Sequence, residues 1–350
     1  MNNLSEEIRA LCREKNAIVM AHYYQRPEIQ DVADVIGDSL ALAQQAAKTD
    51  ADIIVMCGVH FMAETAKILC PNKKVLIPAP EAGCSLADSC KATDLAAWKA
   101  AHPDHMVVSY VNTSAAVKAL TDVVVTSSNA LKIVKQLPED KPILFGPDQN
   151  LGGYINRMTG RKMDLWNGGC HVHARFSEEA LLQLKDQYPN AKVLAHPECK
   201  QSILQHADVI GSTQALLNYA KEHLEEKRYL VVTESGILHE MQKACPEVEF
   251  IAVPAVISPV STSLPTIFNA FLIVCSLFGF SEELVFSSRS SFSWVIFSSF
   301  SLLSSVVLSL RLSFFSISSL IILSILNVSF AILSFLYYWF LFISIRKLSI

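Results

Sequence analysis

The sequence predicts an α/β protein built from three pseudo-symmetric α/β/α domains around a central site. Three observations support this fold class. Buried strand patterns alternate with amphipathic helix patterns, which is typical of parallel sheets covered by helices on both faces. The same order of elements is written three times along the chain. Polar residues follow the predicted strands, where ligand sites lie in such sheets.

Each repeat opens with a short helix and a buried strand. The helices are predicted at residues 4–14, 94–101 and 178–187, and the strands at residues 17–21, 106–109 and 192–195. Ser5, Thr93 and Ser177 stand where helix N-caps belong. The first half of the unit therefore predicts the same helix–strand pair three times.

A recurring aspartate gives the period of the repeat. Asp34, Asp122 and Asp208 lie 88 and 86 residues apart, and a helix pattern follows each of them. A strand–helix pair comes next, at residues 53–69, 143–159 and 230–244, and then a short strand at 74–78, 162–166 and 250–254. The repeats divide the chain into domains 1–92, 93–176 and 177–255, the third incomplete, followed by an apolar Ser/Phe/Leu-rich tail, 256–350.

The composition bounds the class of protein and changes abruptly after residue 255. A formal net charge of −4 over 350 residues gives no reason to expect a nucleic-acid partner. Of 29 basic and 33 acidic residues only six fall in the tail, which holds 14 of the 18 phenylalanines. Nine cysteines without a CxxC pair, and an N-terminus unlike a signal peptide, predict a cytoplasmic protein with reduced thiols.

A serine stands near a predicted helix start in every repeat: Ser39, Ser127 and the pair Ser212-Thr213. Helix N-termini present unpaired N–H groups and the positive end of the helix dipole. For any one serine, ordinary N-capping is the simpler interpretation. Three in register favour a polyanionic substrate, such as a dicarboxylate or a phosphate ester.

Two loop cysteines, Cys84 and Cys170, occupy equivalent places 86 residues apart. Cys170 follows two glycines and precedes His171 and His173, so the segment is either a loop with a free thiol and surface histidines or a ligand loop. Cysteines from different repeats can hold one cluster on the axis of the repeats. Three thiolates on a four-iron cluster leave one iron open as a Lewis acid.

Further polar side chains lie at strand ends or beside the cysteine loops. They offer the groups that a condensation with dehydration needs for proton transfer near a carbonyl, namely His22, Tyr24, Tyr110, His173, His196 and Glu198. Each alone fits a satisfied core residue equally well. Together, in a repeated frame, they favour a site.

Several segments of residues 1–255 resemble the quinolinate synthase family, namely Ala21-His22-Tyr23-Tyr24-Gln25, Gly37-Asp38-Ser39-Leu40, Phe61-Met62-Ala63-Glu64-Thr65-Ala66, Tyr110-Val111-Asn112, Phe145-Gly146-Pro147-Asp148, Gly169-Cys170-His171-Val172-His173 and His196-Pro197-Glu198-Cys199. The resemblance implies three α/β/α domains around a 4Fe-4S cluster held by three cysteines. It implies a transferase of de novo NAD biosynthesis that condenses iminoaspartate with dihydroxyacetone phosphate. An aspartate oxidase or dehydrogenase would supply the iminoaspartate.

The resemblance also implies roles for single residues. Cys84 and Cys170 would bind the cluster, which acts as a Lewis acid. The residues that would transfer protons, or hold the intermediate near the open iron, are Tyr24, His22, Glu198 and His196. Binding of the carboxylates and the phosphate would involve Ser39, Tyr110, Asn112, Ser127, His173, Ser212 and Thr213, together with His22, His196 and Glu198.

The chain departs from the family at its third ligand. That cysteine should follow the strand predicted at residues 250–254, yet no cysteine occurs between Cys245 and Cys275. Because a cluster with two thiolates lacks a family ligand, the activity of this chain is in question.

Two interpretations compete for the tail. Residues 312–345 form an uncharged run long enough for a membrane span, and Arg346-Lys347 would be an interfacial anchor. A disrupted reading frame explains better why the family pattern breaks in mid-domain. The competing functions are a non-catalytic, membrane-attached dicarboxylate-binding protein with the same fold, and a different iron–sulfur hydro-lyase.

Overall fold

The computed structural model describes residues 2–255, which form three four-stranded parallel sheets. The first contains β1 (Ala17–His22), β2 (Val35–Gly37), β3 (Ile53–Cys57) and β4 (Lys74–Leu76). The second contains β5 (Met106–Tyr110), β6 (Val123–Val125), β7 (Ile143–Gly146) and β8 (Asp164–Leu165). The third contains β9 (Lys192–Ala195), β10 (Val209–Ile210), β11 (Arg228–Val232) and β12 (Glu249–Ala252).

The strand order is the same in every sheet. It runs β2-β1-β3-β4, then β6-β5-β7-β8, then β10-β9-β11-β12, and all the strand pairs are parallel. The predicted triplicated α/β fold is confirmed. The third sheet has its four strands, so whatever the third repeat lacks lies beyond residue 255. The tail, with its predicted membrane span, lies outside the described residues.

The helices connect the strands. They are α1 (Asn2–Glu14), α2 (Pro27–Val32), α3 (Ser39–Lys48), α4 (His60–Leu69), α5 (Ser85–Asp88), α6 (Ala92–Ala101), α7 (Ala115–Lys118), α8 (Ala130–Gln136), α9 (Gln149–Thr159), α10 (Glu178–Gln187), α11 (Gln201–Leu204), α12 (Thr213–Glu222) and α13 (Ile237–Ala244), with a 3-10 turn at His173–Arg175. Across residues 2–255, no helix is both long and apolar enough to cross a membrane.

The first sheet shows how the sequence builds two apolar faces. Side chains alternate along a strand, so Met20 packs with Leu42 of α3 in one cluster. Val19 and Ala21 instead pack with Cys12 of α1 in a second cluster. Helices therefore cover both faces, as the continuous apolar runs predict.

The recurring aspartates have a structural role. Each carboxylate accepts a hydrogen bond from a backbone N–H of the first strand of its own repeat. The distances are 2.8 Å from Val19 to Asp34, 2.7 Å from Val107 to Asp122 and 2.8 Å from Val193 to Asp208. Hydrogen bonds to a charged group are among the stronger ones. The aspartates brace the sheets, so their repetition marks the fold and not the site.

Glu64 connects the first repeat to the second. Its Oε2 accepts a 2.9 Å hydrogen bond from the N–H of Ala115, the first residue of α7. We expect Glu64→Ala to lower the free energy of unfolding by about 1 kcal/mol, the usual cost of removing a helix cap. Urea unfolding would measure this, with Glu222→Ala, at the exposed end of α12, as the control. A loss no larger than that of the control would show that the contact contributes nothing.

Candidate active site

A pocket opens where the first strands of the three sheets end. His22 is the last residue of β1, Tyr110 is the last residue of β5, and His196 directly follows β9. All three line the pocket. The carboxyl ends of the parallel strands thus meet at one place, as ligand sites in such sheets require.

The residues that lie two positions after these strand-end residues also line the pocket. Tyr24, Asn112 and Glu198 each follow the strand-end residue by two, and each lines the pocket. In the first and third repeats the local geometry is alike, because the backbone N–H of Tyr24 donates to His22 Nδ1 (3.1 Å) and that of Glu198 to His196 Nδ1 (3.4 Å). An Nδ1 that accepts leaves the ring proton of a neutral imidazole on Nε2.

The structure brings nearly all the predicted site residues together. Those that line the pocket are His22, Tyr24, Ser39, Cys84, Tyr110, Asn112, Ser127, Cys170, His173, His196, Glu198 and Thr213. Ser212 is the exception, because its hydroxyl accepts from the Ala215 N–H as the N-cap of α12. Of the three predicted helix starts, Ser39 is the first residue of α3, whereas Ser127 lies in the turn before α8.

Glu198 is the centre of the hydrogen bonding in the pocket. It is 3% exposed. Its Oε1 accepts a 2.5 Å hydrogen bond from the Tyr110 hydroxyl, and its Oε2 lies 2.9 Å from His173 Nδ1. The His173 and His196 rings stack with centroids 4.7 Å apart. One buried carboxylate of the third repeat therefore holds two side chains of the second repeat.

Thr233 extends this network to the first repeat. Its Oγ1 lies 2.7 Å from the Tyr24 hydroxyl and 2.9 Å from His173 Nε2. The Tyr24 hydroxyl also lies 3.0 Å from Thr213 Oγ1. A continuous chain of polar groups thus runs from Tyr24 through Thr233 and His173 to Glu198.

Burial and hydrogen bonding set the protonation states of these groups. Burial lowers the pKa of His22 to about 4 and that of His196 to about 3. Burial alone would raise the pKa of Glu198, but the adjacent His196 and His173 and the hydrogen bonds from His173 and Tyr110 outweigh it and lower that pKa to about 2. In neutral solution His22 and His196 are therefore uncharged and Glu198 is a carboxylate.

The two tyrosines keep their protons. Burial, reinforced by the charge of Glu198, raises the pKa of Tyr24 and of Tyr110 well above that of a free phenol. Both hydroxyls therefore remain hydrogen-bond donors at neutral pH.

Two atoms in the pocket wall have no partner among the described residues. Asn112 Oδ1 and Thr126 Oγ1 are buried without a hydrogen bond. A buried polar atom without a partner costs free energy, so a hydrogen-bond donor from a ligand or a water would stabilise this wall. No lysine or arginine of the described region lines the pocket. An anion there would therefore rely on hydroxyl and N–H donors.

Cys84 and Cys170 line the same pocket, and their loops are joined. Ser85 Oγ, next to one cysteine, lies 2.5 Å from Nδ1 of His171, next to the other. The Cys170 N–H donates to Asp148 Oδ2 (3.0 Å), while Asp148 Oδ1 caps α9 at the N–H of Leu151 (2.7 Å).

A three-thiolate cluster does not fit the residues described. The other cysteines of that region do not line the pocket, namely Cys12, Cys57, Cys70, Cys90, Cys199 and Cys245. All eight cysteines up to residue 255 are free thiols. The donor set for a 4Fe-4S cluster therefore stops at two thiolates, one short of three.

The polar pocket residues that were not among the predicted site residues are Gln25, Asp38, Ser85, Thr126, His171 and Glu234 in the wall, and Thr233 behind it. Asp38 has a structural reason to be there, since it caps α3 and accepts from Ser128 Oγ of the second repeat at 2.6 Å. Thr233 and Glu234 directly follow β11, the third strand of its repeat in chain order. Applying the strand-end rule to β11 as well as β9 would have found both.

Three sheets of one strand order, whose first strands end at one pocket lined by thiols, imidazoles and carboxylates, define a triplicated α/β protein with a candidate active site. The family model described as quinolinate synthetase A protein matches residues 6–269. The chain belongs to the quinolinate synthase family. The match ends 14 residues beyond residue 255, so the family pattern extends a short way into the segment that the sequence assigns to the tail.

Curated relatives agree with the family match. The chain is 58% identical over 253 residues to the quinolinate synthase of Chloroherpeton thalassium, covering 72% of this chain and 78% of the relative. It is 57% identical over 254 residues to that of Trichodesmium erythraeum, covering 73% and 78%. It is 59% identical over 247 residues to that of Synechocystis, covering 71% and 77%.

Proposed function

We propose that this pocket is a quinolinate synthase active site, which condenses iminoaspartate with dihydroxyacetone phosphate to quinolinate in NAD biosynthesis. The observation that carries the proposal is the convergence of Tyr24, His22, His196 and Glu198 with two loop thiols at one set of strand ends. The names of the relatives support the same reaction. An aspartate oxidase or dehydrogenase would supply the iminoaspartate.

The anionic groups of both substrates would be held without side-chain cations. Ser39 and Thr213 are the first residues of α3 and α12, two ten-residue helices that begin at the pocket. Their N-termini favour carboxylate or phosphate oxygens. Asn112 offers its amide and Ser127 its hydroxyl beside them.

Proton transfer would be divided among groups of different protonation state. Glu198 is a carboxylate and can accept a proton from the substrate. His22 and His196 are neutral imidazoles with Nε2–H donors, and the Tyr24 phenol is a donor, so these groups can polarise leaving oxygen atoms by hydrogen bonding. Carboxylate and imidazoles thus keep separate roles in one pocket.

The family cofactor implied here is a 4Fe-4S cluster, with Cys84 and Cys170 as its ligands in this chain. When bound, such a cluster supplies an open iron as a Lewis acid. Because the family's third cysteine has no counterpart between Cys245 and Cys275, we propose that the unaltered chain is impaired in condensation.

Reconstitution with iron and sulfide tests this proposal. We would compare the full chain with a variant in which residues 256–350 are replaced by the C-terminal segment of the Synechocystis relative. The variant should hold about four irons per chain and form quinolinate, whereas the unaltered chain should do neither well. A variant with a complete cluster and no quinolinate would contradict the assignment of the pocket.

One alternative function has an observation in its favour. The missing third thiolate would leave a non-catalytic dicarboxylate-binding protein with the same fold, because the N–H and hydroxyl donors of the pocket do not depend on a cluster. Isothermal titration with a dicarboxylate distinguishes the two. Binding by both chains, without turnover by the cluster-loaded variant, would favour the alternative.

A further inference from the structure

Three side chains of metal-ligating type converge in the wall of the pocket. They are Cys170, His173 and Glu198, whose donor atoms all lie within 4.8 Å of one another. His173 Nδ1 lies 3.2 Å from Cys170 Sγ and 2.9 Å from Glu198 Oε2. A single ring nitrogen thus faces a thiol and a carboxylate together.

The spacing is close to that of a tetrahedral ion site. Donor atoms around a four-coordinate zinc ion lie roughly 3.4–3.6 Å apart, given the usual Zn–S, Zn–N and Zn–O bond lengths. The two distances from His173 Nδ1 need to widen only by a few tenths of an ångström. Sulfur, nitrogen and oxygen in one set suit a borderline-soft divalent ion and not magnesium or calcium.

Two of the three donor side chains, those of His173 and Glu198, are held from behind, and the backbone beside the third is anchored. His173 Nε2 lies 2.9 Å from Thr233 Oγ1, and Glu198 Oε1 accepts from the Tyr110 hydroxyl at 2.5 Å. The backbone N–H of Cys170 is bound by Asp148. Partners of this kind orient metal ligands and raise affinity, so the set is supported as a unit.

The charge of the pocket favours a cation at this position. Glu198 is 3% exposed, and among the described residues that line the pocket are Asp38 and Glu234 but no lysine or arginine. A buried charge is costly unless it is paired or coordinates a metal. A divalent ion bound by the carboxylate and the thiolate would bring the local charge to neutrality.

We propose that this chain binds one divalent transition ion of the zinc class through Cys170, His173 and Glu198, leaving a fourth position for water or a carboxylate oxygen. The ion would occupy residues that the proposed condensation also uses, so it excludes a cluster at Cys170 and belongs to the unaltered chain, whose cluster is incomplete. The ion needs three donors that the chain possesses, whereas the family cluster needs a third cysteine. It also does not use Cys84, which lies outside the group of three.

Cobalt titration of the full chain tests the site. Metal-free protein in reducing, anaerobic buffer would be titrated with Co²⁺ and monitored for the sulfur-to-cobalt charge-transfer absorption. We expect one equivalent of Co²⁺ to bind and Zn²⁺ to displace it. Cys170→Ser should abolish the charge-transfer band, and Thr233→Val, which removes one supporting hydroxyl, should weaken binding about tenfold.

Two further cysteine variants separate the possible outcomes. Cys90→Ser, at a buried thiol outside the pocket, is the matched control and should bind Co²⁺ as the unaltered chain does. Cys84→Ser should keep the band, because Cys84 is needed for a cluster but not for this ion. Equal loss in Cys84→Ser, or no band in the unaltered chain, would overturn the proposal.

Thermal unfolding with and without Zn²⁺ provides a second test of the site, which is needed if Cys170→Ser is too unstable to titrate. Zn²⁺ should raise the thermal midpoint of the unaltered chain and of Cys84→Ser, because a ligand that binds only the folded state stabilises it. Glu198→Gln keeps the shape of the side chain, and it should lose most of that rise. A rise of the same size in Glu198→Gln would exclude Glu198 from the site.

Discussion

Acidification from pH 6.5 to pH 4 should cost this protein several kcal/mol of stability, largely through two pocket histidines. A histidine in an unfolded chain titrates near pH 6.5, whereas burial lowers the pKa of His22 to about 4 and that of His196 to about 3. The folded state therefore binds fewer protons than the unfolded state in this window. The stability from the neutral rings is complete above pH 6.5 and is lost as the pH falls.

The slope gives the size of the effect. Each histidine contributes about 1.4 kcal/mol per pH unit while it is charged only in the unfolded state, so the pair contributes up to ~2.7 kcal/mol per unit. Below about pH 4.5 Glu198 acts in the same direction, because its pKa is lowered to about 2 in the folded state and protonation of its unfolded form opposes folding.

Urea unfolding at intervals between pH 7.5 and pH 4 would measure this slope. The double variant His22→Asn/His196→Asn should be markedly flatter, since neither position then titrates. His223→Asn, at a ring with 39% side-chain exposure, is the matched single-histidine control and should keep the slope of the unaltered chain. An unchanged slope in the double variant would mean that other groups cause the acid sensitivity.

Gly168→Ala should disrupt the loop that carries Cys170, whereas Gly169→Ala should be tolerated. A Cβ at Gly168 would lie 2.6 Å from the backbone oxygen of Pro147 and would also clash with Ser89 Oγ. The backbone oxygen cannot move without shifting the turn that leads to Asp148. A Cβ at Gly169 would meet nothing nearer than 3.6 Å.

The expected cost of Gly168→Ala is about 1–3 kcal/mol, as for other overpacked sites, with loss of metal binding at Cys170. Thermal unfolding and Co²⁺ titration would follow both effects in the two alanine variants. The neighbouring positions make a matched pair, since both replace glycine by alanine in one loop. If the two variants had the same stability and the same Co²⁺ binding, the close contacts of Gly168 would not be the reason why a glycine stands at this position.

The sequence predicts the architecture well because the fold repeats. Strand and helix patterns recur in the same order in all three repeats, so each repeat supports the assignment made for the other two. The three identical strand orders confirm the predicted repeat. Helix ends are less predictable. Ser177 caps α10 as predicted, but α6 begins at Ala92, so Thr93 lies inside the helix, and Ser5 lies inside α1.

The site is predictable where it follows the first strand of each repeat and less so elsewhere. His22, Tyr110 and His196 are found from that rule. Thr233 contacts Tyr24 across 209 residues of sequence, and no local pattern identifies such a partner. Ser212 shows another limit of a local pattern, because its position beside Thr213 does not reveal that its hydroxyl caps α12.

The network that joins Tyr24, Thr233 and Glu198 has a consequence for how the chain acquires its site. Each sheet draws its strands from a short contiguous stretch, as in Ala17–His22 to Lys74–Leu76, so each can form soon after its own segment is available. The pocket instead depends on pairs 88 and 209 residues apart. During synthesis two sheets can be complete while the pocket still lacks its β11 wall. The site therefore cannot be complete before the segment that contains β11 is available.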